Sequence, residues 1–305
     1  MPRVLSMYVT LAAVCCASPL SAADDELAEI VPPDSKWELV GEEYKFTEGP
    51  AVDRQGNVFF SDPSSSRIWK AAVDGKVTLF AEDTAQTNGL MFGPDGRLYG
   101  CRFGEKKIVA YDPDGTMHTV AEGAGSNDIV VSSTRHIWFT DRNEENPPKS
   151  HLQHVSPDGK MRSVATGWRP NGVILLPDEK TLVATNSDAP QLHVFQVAED
   201  GSLTADGFYK PLKTPSNRGV AGSDGMTVDE KGRLYLASYV GVQVYGNDRQ
   251  FLGTIEKPEN KFLSNVVFGG PKFDHLYVTL SDKVYRRKMN TKGAPYFLKA
   301  RKGER

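Results

Sequence analysis

A pattern of a polar pair followed by two short apolar segments recurs six times along this sequence, and few folds accommodate it. The copies are EGPAVDRQGNVFFSD, NGLMFGPDGRLYGC, NDIVVSSTRHIWFTD, NGVILLPDEKTLVATN, DGMTVDEKGRLYLAS and NVVFGGPKFDHLYVTL. They begin at positions 48, 88, 127, 171, 224 and 265, so their spacings are 40, 39, 44, 53 and 41 residues. Each copy predicts a strand, a turn and a second strand, and each of the first five is followed by another hairpin.

Four short strands in a repeat of about 40 residues are typical of a β-propeller blade, so we expect an all-β, six-bladed β-propeller. The last repeat lacks a fourth strand. The segment KWELVGEEYKF, residues 36–46, predicts a strand before the first repeat, and we expect it to complete blade six and close the ring. An open array of repeats is the alternative, but its end blades would need polar caps that the sequence does not show. We therefore expect one propeller domain at 36–290 and a basic, solvated, partly disordered tail at 291–305.

The first residues resemble a secretory signal rather than part of the fold. Arg3 is followed by an apolar run and then by small residues around Ser21, Ala22 and Ala23, which indicates a signal peptide at 1–23. We expect a secreted or periplasmic protein with no membrane attachment after cleavage. Cleavage leaves Cys101 as the remaining cysteine and a mature charge of 35 − 39 = −4, with no basic excess that would favour nucleic acid.

The first residues of the six copies should surround one mouth of the central channel, because the first strand of a blade lies nearest the axis. We call this set the axial ring: Glu48, Asn88, Asn127, Asn171, Asp224 and Asn265. Glu48, Asn127, Asn171 and Asp224 have the more specific sequence contexts TEGP, SNDIV, RPNGV and SDGM. Two carboxylates and two amides favour a hard divalent cation, so we expect Ca²⁺, with Mn²⁺ and Zn²⁺ as alternatives. The competing interpretation is that these residues only form turns, which Asn-Gly and Asp-Gly do well and glutamate does poorly.

The motifs TEGP, SND, PNG, SDGM and SNVVFGG, in this order from about Glu42 to Lys288, resemble the gluconolactonase and senescence-marker-protein (regucalcin) family. The resemblance implies a six-bladed propeller with a divalent ion, usually calcium, held by Glu48, Asn127, Asn171 and Asp224. It also implies that Asp224 is catalytic, as base or nucleophile, in the hydrolysis of sugar lactones, other lactones or some phosphotriesters. One position departs from the family: many sugar lactonases have an arginine where this chain has Gly125.

We therefore expect a calcium-dependent hydrolase of a small-molecule lactone or related ester. A cation-polarised carbonyl would be attacked by water, with Asp224 as base and Glu48 as the second choice, or by Asp224 itself. The alternatives are phosphotriester hydrolysis at the same ion and a propeller that binds a ligand without catalysis.

Long loops on the face of the axial ring are expected to contact the substrate. The candidate contacts are Asn88, Arg142, Asn186, Arg218 and Tyr239, each of which could instead be a solvated residue. His151 and His154 are expected to form a surface pair.

Overall fold

Each copy of the repeat forms one four-stranded antiparallel sheet in a computed structural model that describes residues 22–142, 151–209 and 212–295. Blade one contains β2 to β5, at Glu48–Val52, Val58–Asp62, Arg67–Ala71 and Val77–Glu82. Blade two contains β6 to β9, at Thr87–Phe92, Leu98–Arg102, Lys107–Tyr111 and Met117–Glu122. Blade three contains β10 to β13, at Ser126–Val131, Ile137–Asp141, His151–Val155 and Met161–Thr166.

The remaining blades follow the same order from the axis outwards. Blade four contains β14 to β17, at Pro170–Leu175, Thr181–Asn186, Leu192–Val197 and Leu203–Phe208. Blade five contains β18 to β21, at Met226–Val228, Leu234–Ser238, Gly241–Tyr245 and Phe251–Ile255. Blade six contains β22 to β24, at Leu263–Gly269, His275–Leu280 and Lys283–Lys288, together with β1 at Trp37–Gly41. The six-bladed, all-β prediction is confirmed.

The N-terminal strand closes the ring. β1 pairs antiparallel with β24, with Trp37 opposite Arg287 and Leu39 opposite Tyr285. The Trp37 indole also donates a hydrogen bond to the carbonyl oxygen of Glu256 at 2.7 Å, which joins this strand to the segment after blade five. The predicted closure is confirmed, and the open array is wrong.

The hydrophobic core lies between neighbouring blades, and burial falls from the axis to the rim. All five residues of β3, β7 and β19 are buried, whereas β5, β9 and β13 in the outer position are half exposed. Between blades five and six, the rings of Tyr235 and Phe268 meet edge to face with centroids 5.0 Å apart. Full burial of one such side chain contributes about 1.5–3 kcal/mol, and each interface contains several.

The packed part of the chain extends beyond 36–290 at both ends. Helix α1, Ala22–Ile30, places Ile30 in the core of blades five and six, and the Ile30 carbonyl accepts a hydrogen bond from Asn290 N at 2.9 Å. At the other end Thr291 is buried, and Ala294 N donates to the Val228 carbonyl at 3.2 Å. Residues 291–295 are therefore bound to the propeller, and the rest of the expected tail lies outside the described residues, as do residues 1–21. In the described ranges, no helix is long and apolar enough to span a membrane.

The expected surface pair of histidines does not form, because residues three apart on a strand face opposite sides. His154 of β12 is 1% exposed, and its Nε2 lies 2.8 Å from Nδ1 of His136. Its ring also packs 5.2 Å from the ring of Trp138. His151 is half-buried and lies 3.3 Å from the Ser163 hydroxyl instead.

Candidate functional site

The axial ring lies where the first strand of each blade departs from regular pairing. Five of these strands have a register shift within their first residues, and in blade five β18 begins only at Met226, after Asp224. Hydroxyl groups of the second strands bond the backbone groups that the irregularity releases. Thr140 Oγ1 accepts from Asp128 N at 3.0 Å and donates to the Asn171 carbonyl of the next blade at 2.6 Å. Bulges of this kind redirect side chains, and here they direct them into the channel mouth.

The glycine that follows four of the ring residues allows neighbouring first strands to approach closely. A Cβ atom on Gly172 would lie 2.1 Å from the carbonyl oxygen of Asp224, and one on Gly225 would lie 1.9 Å from the Asn265 side chain. Glu48 and Asn171 themselves lie in strands rather than in turns. The interpretation of Glu48-Gly49 and Asn171-Gly172 as turn formers is therefore wrong. The glycine is required instead because the first strands pack closely at the axis.

A pocket at the channel mouth brings most of the predicted site residues together. Its volume is about 260 Å³, which is slightly below the usual range of about 300–1,000 Å³ for small-molecule sites. Its polar lining comprises Glu48, Asn88, Asn127, Arg142, Arg169, Asn171, Ser187, Ser223 and Asp224. Its other lining residues are Phe46, Val220, Gly222, Tyr239 and Phe262. Asn265 is the exception in the axial ring, because it lines an apolar cavity deeper in the channel.

Two buried carboxylates face this pocket, which is also lined by Arg142 and Arg169. Glu48 and Asp224 are each 6% exposed. Burial, followed by the charges of Asp224 and Asp128, raises the pKa of Glu48 well above its usual value, although the Gly49 amide and Arg142 oppose the shift. Burial also raises the pKa of Asp224, and the charge of Arg142 partly offsets this. Asp128 lies deeper, and burial raises its pKa to about 7. The carboxyls repel one another, so a cation between them would be strongly attracted.

The carboxylate and amide oxygens at the channel mouth are suitable ligands for a hard cation. Asn171 Oδ1 is buried and has no hydrogen-bond partner in the described part of the chain. A buried oxygen of this kind is costly unless a ligand satisfies it. Among the described residues, no three His, Cys, Asp or Glu side chains are grouped to hold a metal ion, so a site at this mouth needs amide oxygens as well. Glu48 and Asp224 with Asn127 and Asn171 provide such a set, and oxygen donors suit Ca²⁺.

Comparison with known proteins identifies the family. A family model described as SMP-30/Gluconolactonase/LRE-like region matches residues 118–282, which is more than half of the chain. This chain belongs to the SMP-30/gluconolactonase family. The resemblance expected from the motifs is confirmed.

Individual relatives of the family cover most of the chain. A gluconolactonase of Zymomonas mobilis is 28% identical over 292 residues, which span 84% of this chain and 82% of the relative. A solved gluconolactonase from Xanthomonas campestris has 27% identity and a TM-score of 0.75, covering 88% of this chain and 93% of its own. A solved regucalcin from Agrobacterium tumefaciens, described as a calcium-binding protein, shares the fold at 18% identity with a TM-score of 0.72. The alignment with regucalcin covers 84% of this chain and 94% of that one.

Two of the predicted substrate contacts do not line the pocket of this family member. Asn186 is 6% exposed, and its side chain lies 3.3 Å from His193 Nε2 and accepts a hydrogen bond from Asp188 N at 2.9 Å. Arg218 is exposed and stacks outside the pocket, with its guanidinium carbon 4.7 Å from the centre of the Tyr239 ring.

Among the polar lining residues, sequence reasoning missed Arg169, Ser187 and Ser223. Arg169 stands two positions before Asn171 of the axial ring, and Ser187 directly follows β15. Arg169 and Ser187 stand beside predicted strand ends, and this placement is the sequence signal that could have identified them as lining residues. Cys101 is fully buried, and burial raises the pKa of its thiol, so it does not serve as a nucleophile in this site.

Proposed function

We propose that this protein is a calcium-dependent lactone hydrolase that acts at the pocket of the axial ring. The observation that carries the proposal is the meeting of two buried carboxylates and an unpartnered amide oxygen, from Glu48, Asp224 and Asn171, in one solvent-open pocket. A propeller that binds a ligand without catalysis does not need two repelling carboxylates at its axis.

The relatives support both parts of the proposal. The Zymomonas mobilis and Xanthomonas campestris proteins are named gluconolactonases, and they align with most of this chain. The Agrobacterium tumefaciens protein of the same fold is described as calcium-binding. A lactone is a cyclic ester, so the reaction is attack on an ester carbonyl followed by ring opening.

Glu48, Asn127, Asn171 and Asp224 would hold the cation, with their oxygens as donors. When bound, a divalent cation supplies Lewis-acid polarisation of a carbonyl. The positive charge of Arg142 lowers the pKa of Asp224, and the neighbouring Asn171 side chain acts in the same direction. Burial outweighs both effects, so the pKa of Asp224 rises to about 7, and a bound cation would favour its ionised form.

Asp224 acts as the base in this proposal. A water molecule that attacks the carbonyl must lose a proton, and an ionised carboxylate facing the pocket accepts it. Burial makes this carboxylate more basic than an exposed aspartate. Glu48 is the second candidate. Attack by Asp224 itself would release the ring oxygen and form a mixed anhydride with the opened substrate. Attack of ¹⁸O-labelled water on the Asp224 carbonyl carbon would then leave the label in Asp224 after one turnover, whereas direct attack of water on the lactone leaves it in the product. We also propose, from the N-terminal sequence, that the protein is secreted or periplasmic.

The test is hydrolysis of a panel of lactones and phosphotriesters by the wild type and by Asp224→Asn. Loss of a general base lowers kcat by about 10²–10⁴-fold, so we expect such a loss with lactones. Asp206→Asn is the matched control, because Asp206 pairs with Arg249 on the outer part of the fold and does not line the pocket. Turnover of phosphotriesters but not lactones, or an unchanged rate in Asp224→Asn, would contradict the proposal.

A further inference from the structure

Arg169 and Ser187 are neighbouring polar residues that line the pocket and make few contacts of their own. Both residues line it, Arg169 from the segment between β13 and β14 and Ser187 from the segment after β15. Ser187 N donates to the Arg169 carbonyl at 2.9 Å, so the backbone fixes the two residues side by side. Arg169 Nε and Ser187 Oγ are both buried, and neither has a hydrogen-bond partner among the described residues. Ser187 Oγ is therefore unsatisfied, and Arg169 Nε meets only the exposed Asp188 carboxylate, so both groups can bind a ligand in the pocket.

The ion pair of Arg169 leaves its guanidinium available to a ligand. Arg169 Nε lies 3.3 Å from Asp188 Oδ1, but the Asp188 side chain is 57% exposed and does not line the pocket. Exposed pairs of this kind contribute little stability and are readily exchanged for a better partner. A guanidinium binds a carboxylate with two parallel hydrogen bonds, and this contact is stronger than its bond to a neutral hydroxyl.

The charge of the pocket also favours an anionic ligand. Among the described lining residues, the charged side chains are two acids, Glu48 and Asp224, and two bases, Arg142 and Arg169. Their formal charges cancel, so a divalent cation between the acids would leave the lining with two positive charges. A neutral lactone does not balance that excess, whereas a lactone that carries a carboxylate balances part of it.

We propose that the pocket recognises a lactone bearing a carboxylate, and that Arg169 and Ser187 bind this carboxylate away from the ester that is opened. This inference rests on the proposed lactone hydrolysis and names the substrate class for it. Gly125 stands where many sugar lactonases have an arginine, and Arg169 supplies a positive charge to the pocket from a different loop.

The test compares two lactones that differ at one carbon. D-glucono-1,4-lactone ends in a hydroxymethyl group, and D-glucaro-1,4-lactone has a carboxylate at the same position. We expect kcat/KM to favour the glucarolactone by about tenfold or more, since a charge-assisted hydrogen-bond pair is worth at least that factor. Most of the preference should be in KM, because the group lies away from the reacting carbonyl.

Substitution tests the residues themselves. Arg169→Gln should bring the ratio of the two kcat/KM values close to one, and Arg169→Lys should leave an intermediate ratio because it keeps the charge without the planar fork. Ser187→Ala should reduce the ratio several-fold. Arg97→Gln is the matched control: Arg97 pairs with Asp95 at 2.7 Å, does not line the pocket, and should keep the wild-type ratio.

A binding measurement is independent of turnover. Gluconate, which carries one carboxylate, should bind the chelated wild-type protein more tightly in calorimetry than glucitol, which carries none, and Arg169→Gln should remove the difference. Equal rates with both lactones, or an unchanged ratio in a folded Arg169→Gln variant, would overturn the inference while leaving lactone hydrolysis intact. If neither lactone is opened, the proposed function fails, and the binding difference still decides whether Arg169 recognises a carboxylate.

Discussion

Replacement of Gly172 by alanine tests whether close contact between first strands positions the site. The added Cβ would lie 2.1 Å from the Asp224 carbonyl oxygen and 3.0 Å from the Cα of Gly225. Ordinary contacts require about 3.5 Å, so the first strands of blades four and five must separate by roughly 1 Å or more. The backbone of Gly172 has no left-handed φ, so the effect comes from space alone.

The separation of the two strands should lower the free energy of unfolding. Overpacking a tight contact destabilises by about 1–3 kcal/mol, and the lower entropy of the unfolded alanine chain returns about 0.4–1 kcal/mol. A net loss of about 1–2 kcal/mol lowers the melting temperature by about 2–8 °C for a domain of this size. Asn171 lies on β14 and Asp224 just precedes β18, so the separation moves both, and lactone hydrolysis should fall by about 10²-fold, the usual effect of a 1 Å misplacement.

Thermal unfolding by calorimetry and the hydrolysis rate are measured for Gly172→Ala and for a matched control. Gly219→Ala is that control, because no heavy atom lies within 4 Å of its added Cβ and its φ is not left-handed. Its activity should equal that of the wild type. If Gly172→Ala matches Gly219→Ala in both melting temperature and rate, the contact between first strands does not position the site.

Two further predictions concern protons. Burial lowers the pKa of His154 from 6.5 to about 4, so the folded state favours the neutral ring. The contribution of His154 to the free energy of unfolding is therefore complete above pH 6.5 and declines as the pH falls towards 4. Between pH 6.5 and pH 5 the free energy of unfolding should fall by about 2 kcal/mol more in the wild type than in His154→Phe, measured by urea unfolding, and parallel pH curves would contradict this. Because the pKa values of Glu48 and Asp224 are raised, calcium must displace protons, and its apparent Kd should rise by about ten- to hundredfold per pH unit below those pKa values. Calorimetric titration at several pH values checks this; a Kd independent of pH between 5 and 7 would show that neither carboxyl binds the ion.

The architecture could be predicted from the sequence because the repeat determines the number of strands in each blade. The last repeat lacks a fourth strand, so another segment of the chain had to supply it. The position of each ring residue at the start of a first strand followed from the same repeat. Asn265 shows the limit of that reasoning: its place in the pattern matches that of Asn171, yet it lines the deeper cavity. The direction of a side chain at a bulge depends on its contacts with the neighbouring blade, and the pattern of one repeat carries no information about those contacts.

The rest of the site depends on contacts between distant segments. Arg169 and Ser187 lie opposite each other just beyond the β14–β15 pair, where Pro170 faces Asn186, and the hydrogen bond between their backbones continues that pairing. The burial of His154 against Trp138 and His136 likewise arises from strand pairing in three dimensions. Asn186 was one of the candidate substrate contacts, and its bonds to neighbouring residues hold it outside the pocket.

The most direct measurement of the central claim follows lactone hydrolysis and calcium binding in the same titration. Chelated protein is supplied with increasing Ca²⁺ while the rate with a neutral and a carboxylated lactone is recorded, and the bound ion is measured by calorimetry. The account predicts no activity without a divalent ion and a rate that rises in proportion to one bound Ca²⁺ per chain. Full activity in excess chelator, or saturated calcium binding with no hydrolysis of any lactone, would contradict it.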